Sequence, residues 1–242
     1  DKGQKKYVAD LQEEVKQMSE LVDELLMFSK AGMKSAKIQM QPVALNEIVQ
    51  RVIDREGAAA ANLNVDGQGD FKINTGNGMF DHLLAQISRH GLLDLNLSAK
   101  GDVEVGWHHL VEDTAIVIGQ ALRKAVGDGK GIVRIGHSYV PLDETLALVV
   151  VDFGGRGYAV IDTKLTQSDL GELSPQLIDH FLESLSSEGK FNLHVQVLAG
   201  SSNHHKAEAV FKALARALRA ALTIDKLREQ IPSTKGVIGC RR

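Results

Sequence analysis

Apolar residues recur at helical spacing near the start of the chain. Between residues 8 and 25 they fall alternately three and four positions apart, with charged and polar residues between them, which indicates a heptad seam. The seam comprises Val8, Leu11, Val15, Met18, Val22 and Leu25. Gly32 ends the pattern, and a second, shorter helix is predicted after Pro42. Residues 1–54 are therefore predicted to form a helical hairpin without catalytic residues, whose seam is covered by a second copy or by the rest of the chain.

From residue 55 onward, extended runs alternate with amphipathic helical runs. Residues 58–67 and 70–74 are predicted to form a hairpin around Gly67 to Gly69. Further strands are predicted at 93–98, 102–105, 131–139, 145–152, 158–162 and 192–198, and helices at 79–91, 108–126, 175–185 and 203–222. This mixture predicts an α+β body over residues 55–242.

The body contains one unit twice. The first copy runs from DHLLAQISRHG to HHLVEDTAIVIGQALRKAV, and the second from DHFLESLSSEG to HHKAEAVFKALARALRAAL. Each begins with Asp-His at the head of a helix, and each continues through extended chain to an adjacent histidine pair. Two internal repeats, at about 55–140 and 141–236, are therefore predicted, and they indicate a pseudo-symmetric domain built by duplication.

Composition narrows the class of protein further. The chain has 242 residues, 43% of them hydrophobic, and a formal net charge of −3. This balance is typical of a globular protein and gives no electrostatic reason to expect nucleic acid as a partner. The apolar runs are too short to cross a membrane, no secretion signal is recognisable, and Cys240 has no second cysteine for an internal disulfide. A reducing, cytoplasmic setting is expected.

The histidine pairs carry the clearest chemical signal. Neighbouring positions on a helix point about 100° apart, so His108 and His109 would face two different ions rather than chelate one. Glu112 lies four residues after His108, and Glu208 lies three after His205, which places imidazole and carboxylate on one helical face. An isolated histidine pair is usually a solvated surface feature, but two matched sets are much harder to explain in that way.

Adding the Asp-His histidines gives an inventory for two metal ions. The ligand candidates are His82, His108, His109, Glu112, His180, His204, His205 and Glu208. Such imidazole-rich, partly carboxylate shells suit manganese, iron, zinc or cobalt, and octahedral manganese with open positions fits a Lewis-acid role without redox chemistry. His90 and His137 are left as structural or surface histidines.

Several stretches resemble imidazoleglycerol-phosphate dehydratase, an enzyme family of histidine biosynthesis. They are TGNGMFDHLLAQISRHG, HHLVEDTAIVIGQAL, RIGHSYVPLDETLALVVVDFGGR, LIDHF, SSNHHKAEAVFKALARALR and PSTKG, over about residues 55–236. The resemblance implies a fold with helices packed between two sheets. It also implies trimers that assemble into a cage of twenty-four subunits, with two Mn²⁺ ions per active site, held by the eight ligand candidates and shared between subunits.

The resemblance also implies the reaction, which is the dehydration of D-erythro-imidazoleglycerol phosphate to imidazole acetol phosphate by a hydro-lyase. Metals would supply the electron sink that the substrate lacks. Glu56 would be the acid/base at the hydroxyl, and Glu208 would also move protons. The phosphate contacts would be Arg134, Arg156, Ser233 and Lys235, and Gln86 and Asp143 match further pocket positions.

The chain departs from the family pattern at two places. Trp107 stands where an acidic residue normally precedes the first histidine pair, and Leu110 follows the pair where the family has a threonine. Loss of that acidic support would weaken a metal site. Glu56 is followed by Gly57 and an alanine run where branched residues are usual, which makes the placement of Glu56 less firm.

Residues 1–50 have a second resemblance, to the dimerisation region of sensor histidine kinases. It rests on YVADLQEEVKQMSELVDELLMFSKAG and QPVALNEIVQRVI, but no histidine occurs before His82 to accept phosphate. Two functions therefore stand against each other. The first is a manganese-dependent dehydratase with an added helical hairpin. The alternative is a catalytically weak metal-binding scaffold or signalling-derived interaction protein.

Overall fold

The computed structural model describes residues 59–101, 104, 106–167, 170–227 and 230–238. In chain order the elements are β1 (Ala60–Asn64), β2 (Phe71–Asn74), α1 (Gly78–Gly91), β3 (Asp94–Ser98), α2 (His108–Val126), β4 (Ile135–Leu142), β5 (Thr145–Asp152), β6 (Tyr158–Asp162), α3 (Pro175–Gly189), β7 (Asn192–Ala199) and α4 (Asn203–Leu222). The hairpin predicted for residues 1–54 lies outside the described residues, as does most of the strand predicted at 102–105.

The strands form two sheets. The first has the order β1-β3-β2, in which β3 runs antiparallel to β1 and parallel to β2. The second has the order β4-β5-β7-β6, in which β7 runs antiparallel to β5 and parallel to β6. Each parallel pair is joined by a helix, because parallel neighbours need a crossover connection.

The predicted hairpin of β1 and β2 is wrong. Both strands pair with β3, which lies between them in the sheet. In the sequence, β3 begins at Asp94, twenty positions after the last residue of β2. The turn that was expected to join them is instead fixed by Asp94 at the start of β3. Oδ1 of Asp94 accepts the backbone N–H groups of Gln68, Gly69 and Asp70 at 2.7 to 3.0 Å.

The four helices lie between the two sheets. Helices α1 and α2 pack on the first sheet, and α3 and α4 pack on the second, while α1 also packs against α4 and α2 against α3. The inner faces of both sheets and the facing sides of all four helices contribute to one apolar core. The prediction of an α+β fold with helices packed between two sheets is thereby confirmed.

The first helix of each predicted repeat ends in the same way. Helices α1 and α3 both end at a left-handed residue, Leu92 and Lys190, whose backbone N–H returns to a buried serine carbonyl. The side chains of those serines, Ser88 and Ser186, both donate to the carbonyl five residues further on. The same stop signal therefore occurs in each half, at positions that correspond in the repeat.

Helix packing repeats as well, but between the halves rather than within them. A Cβ atom on Gly119 of α2 would come within 2.9 Å of Gly189 N and Leu185 O on α3. At the corresponding contact, a Cβ atom on Gly91 of α1 would lie 3.3 Å from Ala215 O on α4. The helices of one half therefore pack against those of the other half, α1 on α4 and α2 on α3, and this arrangement is called the helix exchange below. The ligand candidates meet at these two contacts.

In the described part of the chain, no helix is both long enough and apolar enough to cross a membrane.

Candidate metal centre and phosphate pocket

The first group of ligand candidates, the α1–α4 cluster, consists of His82, His204 and Glu208. Oε2 of Glu208 lies 3.1 Å from Nε2 of His82 and 3.2 Å from Nε2 of His204. The two imidazole rings are stacked with 6.0 Å between their centres. One carboxylate oxygen therefore faces two imidazole nitrogens, which is a suitable arrangement of ligand atoms for a divalent cation.

The second group, the α2–α3 cluster, consists of His108, Glu112 and His180. The rings of His108 and His180 are stacked at 4.5 Å, and Nε2 of His180 lies 3.6 Å from Oε1 of Glu112. That nitrogen is buried and has no hydrogen-bond partner among the described residues. Since a buried polar atom without a partner is costly, its position favours a ligand that the cluster would bind.

Each cluster takes its ligand candidates from both predicted repeats. The Asp-His histidine of one half joins the i, i+4 histidine and glutamate of the other half, so the helix exchange brings the ligands together. The spacing predicted for Glu208 needs one correction. Glu208 pairs with His204, one helical turn earlier, rather than with His205.

The aspartates of the Asp-His pairs have a structural task. Asp81 accepts hydrogen bonds from the backbone N–H and hydroxyl of Thr75, at 2.9 and 2.6 Å. Asp179 accepts a hydrogen bond from the hydroxyl of Thr163 at 2.8 Å. Each aspartate thus attaches its helix to the residue that follows the preceding strand, next to the histidine of the cluster.

Lys212 supports the carboxylate of the α1–α4 cluster. Its ammonium group lies 2.6 Å from Oε1 of Glu208, whose side chain is only 13% exposed. Burial opposes ionisation of Glu208, but the hydrogen bonds with Lys212 and His82 outweigh it and lower the pKa of this carboxyl to about 2. Glu208 is therefore negatively charged at neutral pH, as a metal ligand must be.

His109 and His205 lie outside both clusters. The rings of each adjacent pair are steeply inclined, by 81° between His108 and His109 and by 73° between His204 and His205. Only the first histidine of each adjacent pair belongs to a cluster, so the two members of a pair do not share one group of ligand candidates. Nδ1 of His205 lies 2.7 Å from Oε2 of Glu144, and its Nε2 lies 3.5 Å from Oδ2 of Asp143.

Glu144 has several further partners in the loop before α4. Oε1 accepts the backbone N–H groups of Ser201 and Ser202 at 3.1 and 2.9 Å. The N–H of Ser202 and the side chain of His205 hold the pKa of Glu144 well below its usual range. The hydrogen bond with Glu144 in turn raises the pKa of His205.

The four predicted phosphate residues line one cavity of about 620 Å³. They are Arg134, Arg156, Ser233 and Lys235. Gly154 and residues 230–234 complete most of its wall. Since three cations and the donors of the 233–235 turn meet there, the cavity is chemically suited to a phosphate group.

Arg134 organises that cavity. Its Nε and one terminal nitrogen bind the two carboxylate oxygens of Asp152 at 2.6 and 3.1 Å. The other terminal nitrogen donates to the carbonyl of Pro232 at 2.7 Å, which attaches the segment that carries Ser233 and Lys235. Arg156 is exposed and is the more available of the two guanidinium groups.

The remaining candidates are more dispersed. Gln86 lies one turn after His82 on α1, and its side chain donates to the His82 carbonyl at 3.2 Å. Asp143 lies in the turn between β4 and β5, beside His205. Glu56 lies outside the described residues. His137 is exposed on β4, and burial together with the nearby Lys212 lowers the pKa of His90.

Sequence reasoning missed three supporting residues: Glu144, Asp152 and Lys212. Lys212 follows Glu208 by four positions, so helical spacing alone indicates their contact. Asp152 contacts Arg134, and Glu144 contacts the loop that precedes α4 and His205. These partners are distant in the sequence, so the contacts become apparent only when the strands are paired.

An α+β body with two histidine–carboxylate clusters that could hold metal ions, together with a separate cationic cavity suited to phosphate, is typical of a metal-dependent enzyme that acts on a phosphorylated substrate. The family model of imidazoleglycerol-phosphate dehydratase matches residues 75–218. The chain belongs to the imidazoleglycerol-phosphate dehydratase family, the lyases that dehydrate imidazoleglycerol phosphate in histidine biosynthesis.

Named relatives agree over nearly their whole lengths. The chain is 50% identical over 184 residues to the imidazoleglycerol-phosphate dehydratase of Dehalococcoides mccartyi strain 195, covering 76% of this chain and 92% of that protein. It is 46% identical over 196 residues to the enzyme of Clostridium botulinum strain Langeland, covering 80% and 100%.

Two solved structures share the fold. The Staphylococcus aureus N315 imidazoleglycerol-phosphate dehydratase superposes with a TM-score of 0.64 at 38% identity, covering 69% of this chain and 95% of that one. The Pyrococcus furiosus enzyme, in complex with (S)-C348, gives a TM-score of 0.62 at 28% identity, covering 74% and 96%.

Proposed function

We propose that the chain converts D-erythro-imidazoleglycerol phosphate to imidazole acetol phosphate with the help of two Mn²⁺ ions per active site. The observation that carries this proposal is the pair of matched clusters, each with two imidazoles and one carboxylate on equivalent helices. The two clusters have equal composition, so each would hold one divalent ion with two imidazoles and one carboxylate.

The residues present fit a divalent ion. Both clusters combine imidazole nitrogens with one carboxylate, a donor set that manganese shares with iron, zinc and cobalt. The buried Nε2 of His180 needs a partner, and the ionised Glu208 supplies negative charge beside two imidazoles. When bound, the ions would provide Lewis-acid stabilisation of the charge that develops on the substrate ring.

Proton transfer is assigned to two carboxylates. The family resemblance assigns the substrate hydroxyl to Glu56, which would act there as general acid/base. Glu208 is the proposed second group, because its Oε2 faces the cluster while Lys212 holds its Oε1. With Oε1 held by Lys212, Oε2 keeps a constant position at the cluster, where Glu208 would move protons as well as bind metal.

The cationic cavity would bind the phosphate end of the substrate. Arg156, Ser233 and Lys235 offer donors, and Arg134 fixes the segment that carries the last two. Guanidinium groups form paired hydrogen bonds with phosphate oxygens, which orients the substrate as well as binding it. Gln86 and Asp143 are proposed as further substrate contacts.

The active site would be completed between subunits. Each cluster offers three ligand atoms, and the two other predicted ligands, His109 and His205, belong to neither cluster. We assign them to the clusters of neighbouring subunits in a homo-oligomer of trimers that form a twenty-four-subunit cage. A cytoplasmic location follows from the biosynthetic role.

Turnover of the metal-loaded chain tests the proposal. Purified protein is stripped with a chelator, reloaded with Mn²⁺ and assayed for imidazole acetol phosphate, beside Glu56→Gln and His204→Ala variants. Activity that needs Mn²⁺ and is lost in both variants is the expected result. A metal-loaded, assembled protein without turnover would favour the alternative of a weak metal-binding scaffold.

A further inference from the structure

Glu144 links His205 to the loop that precedes it. Oε2 lies 2.7 Å from Nδ1 of His205, while Oε1 accepts the backbone N–H groups of Ser201 and Ser202. The hydroxyl of Ser201 also lies 3.3 Å from Oε1. The loop donors therefore fix the carboxylate on one side, and the fixed carboxylate faces the imidazole on the other.

This contact is made to Nδ1 of His205, and it favours the tautomer in which that nitrogen carries the proton. An ionised carboxylate accepts hydrogen bonds and donates none, so Nδ1 must be the donor. In a neutral ring with its proton on Nδ1, the lone pair is on Nε2, which points away from Glu144 and lies 3.5 Å from Oδ2 of Asp143. A carboxylate behind a histidine commonly sets the tautomer and ring orientation of a metal ligand in this way.

The sequence interval between the predicted repeats relates Glu144 to Glu56. Asn64 is paired with Asp94 on β3, and Asp152 is paired with Asn192 on β7, at positions that correspond in the two halves. Asn64 and Asp152 are 88 positions apart in the sequence, and the same interval joins Glu56 to Glu144. Each repeat thus has a glutamate at this position of its sequence.

We propose that Glu144 is a positioning residue for metal binding: its carboxylate orients His205 and leaves Nε2 of that ring available as a ligand. The inference rests on the proposed function, because it assigns a support to one of the proposed ligands. It also gives the two glutamates of the repeat different roles, since Glu56 is assigned to the substrate and Glu144 to a histidine.

The test measures Mn²⁺ binding to the metal-free full-length protein by calorimetry. Glu144→Gln keeps the shape of the side chain, but its amide group can donate to Nδ1 and so favour the tautomer with a proton on Nε2. We expect the affinity for Mn²⁺ to fall about 10- to 100-fold, the usual effect of losing such a support. Glu172→Gln, which removes an exposed carboxylate elsewhere, is the matched control and should leave the affinity unchanged.

A double-mutant cycle separates positioning from loop tethering. If Glu144 acts through His205, then Glu144→Gln combined with His205→Ala binds Mn²⁺ no more weakly than His205→Ala alone. Additive losses would show that Glu144 only holds the loop and would overturn the proposal. Glu144→Asp, which keeps a carboxylate near the loop but shortens its reach, gives a second variant if the glutamine variant does not fold, and it should also weaken Mn²⁺ binding.

The outcomes distinguish this inference from the proposed function. If the unaltered chain binds no Mn²⁺, both fail. If it binds Mn²⁺ and Glu144→Gln binds within twofold of it, the role of Glu144 is wrong while the proposed function stands. Loss of affinity in Glu144→Gln without additivity to His205→Ala supports the inference.

Discussion

Lys212 lies 2.6 Å from Oε1 of Glu208, and this ion pair leaves Oε2 of the same carboxylate facing two imidazoles. The ammonium group therefore fixes the orientation of the one acidic ligand in the α1–α4 cluster. It also favours the ionised form of Glu208 despite the burial of that side chain.

The pH dependence of the metal-free protein should reveal this pair. Because the pKa of Glu208 is lowered to about 2, its contribution to stability is present above its ordinary pKa of 4.5 and is lost as the pH falls towards 2. Lys212→Met should reduce that contribution and move acid unfolding to higher pH. Circular dichroism during acid titration measures the midpoint. Lys226→Met, at an exposed lysine, is the control, and an equal midpoint in both variants would contradict the prediction.

The start of α2 offers a test of helix capping. Trp107 is the N-cap residue and makes no side-chain hydrogen bond to the helix, whereas Ser202 accepts the His205 N–H at the corresponding end of α4. Trp107→Asp should be about 1 kcal/mol more stable than Trp107→Ala, because both lose the indole and only aspartate can cap. Denaturant unfolding of the metal-free variants gives the difference. Equal stability would mean that the cap is not formed.

The close crossing of α2 and α3 allows one cluster to be disturbed selectively. A Cβ atom at Gly119 would be 2.9 Å from backbone atoms of α3, so Gly119→Ala should separate the helices at a cost of about 1–3 kcal/mol. Since His108 and His180 lie on these two helices, Mn²⁺ binding at the α2–α3 cluster should weaken. Gly78→Ala, at a helix position with open space, is the control. Calorimetric titration should then show one weakened site in Gly119→Ala and none in the control.

The two cavity arginines should respond differently to substitution. Arg156→Ala should lower the affinity for inorganic phosphate about tenfold or more without changing stability, because an exposed charge-assisted hydrogen bond is lost. Arg134→Lys should lower both the phosphate affinity and the stability of the protein. Lysine cannot form the paired contact with Asp152 and also donate to the Pro232 carbonyl. Phosphate titration and thermal unfolding measure the two effects. Arg123→Ala, at an exposed position on α2, should alter neither.

Much of the fold could be predicted because its signals are local. The bounds of α2 and α4 coincide with the predicted helices, because both have an apolar periodicity that can be recognised in the sequence. Gly127 marks the end of α2, and the Ser202 cap marks the start of α4. Strands β5 and β6 were likewise predicted at their observed bounds, where extended runs are separated by turn residues. The clusters also contain residues that the internal repeat had singled out.

Sequence patterns did not predict which elements pair. Proximity along the chain favoured a hairpin of β1 and β2, but β3 offers both strands a partner and Asp94 closes the turn between them. The partner of Glu208 was misassigned because i+3 and i+4 share a helical face, and only the orientation of the side chain decides between His205 and His204. Contacts across the sheet, such as Glu144 with His205, depend on strand register and were not recognised.

The helix exchange between the halves has a consequence for how such a protein could have originated. A chain of half this length, with one Asp-His helix and one helix bearing a histidine pair, would place its ligands on helices that do not pack against each other. It would bring them together only by associating with a second copy, in the manner of a symmetric dimer. Gene fusion of two such chains would then have replaced association between two molecules by the folding of one chain, and later divergence could alter each histidine–carboxylate cluster separately.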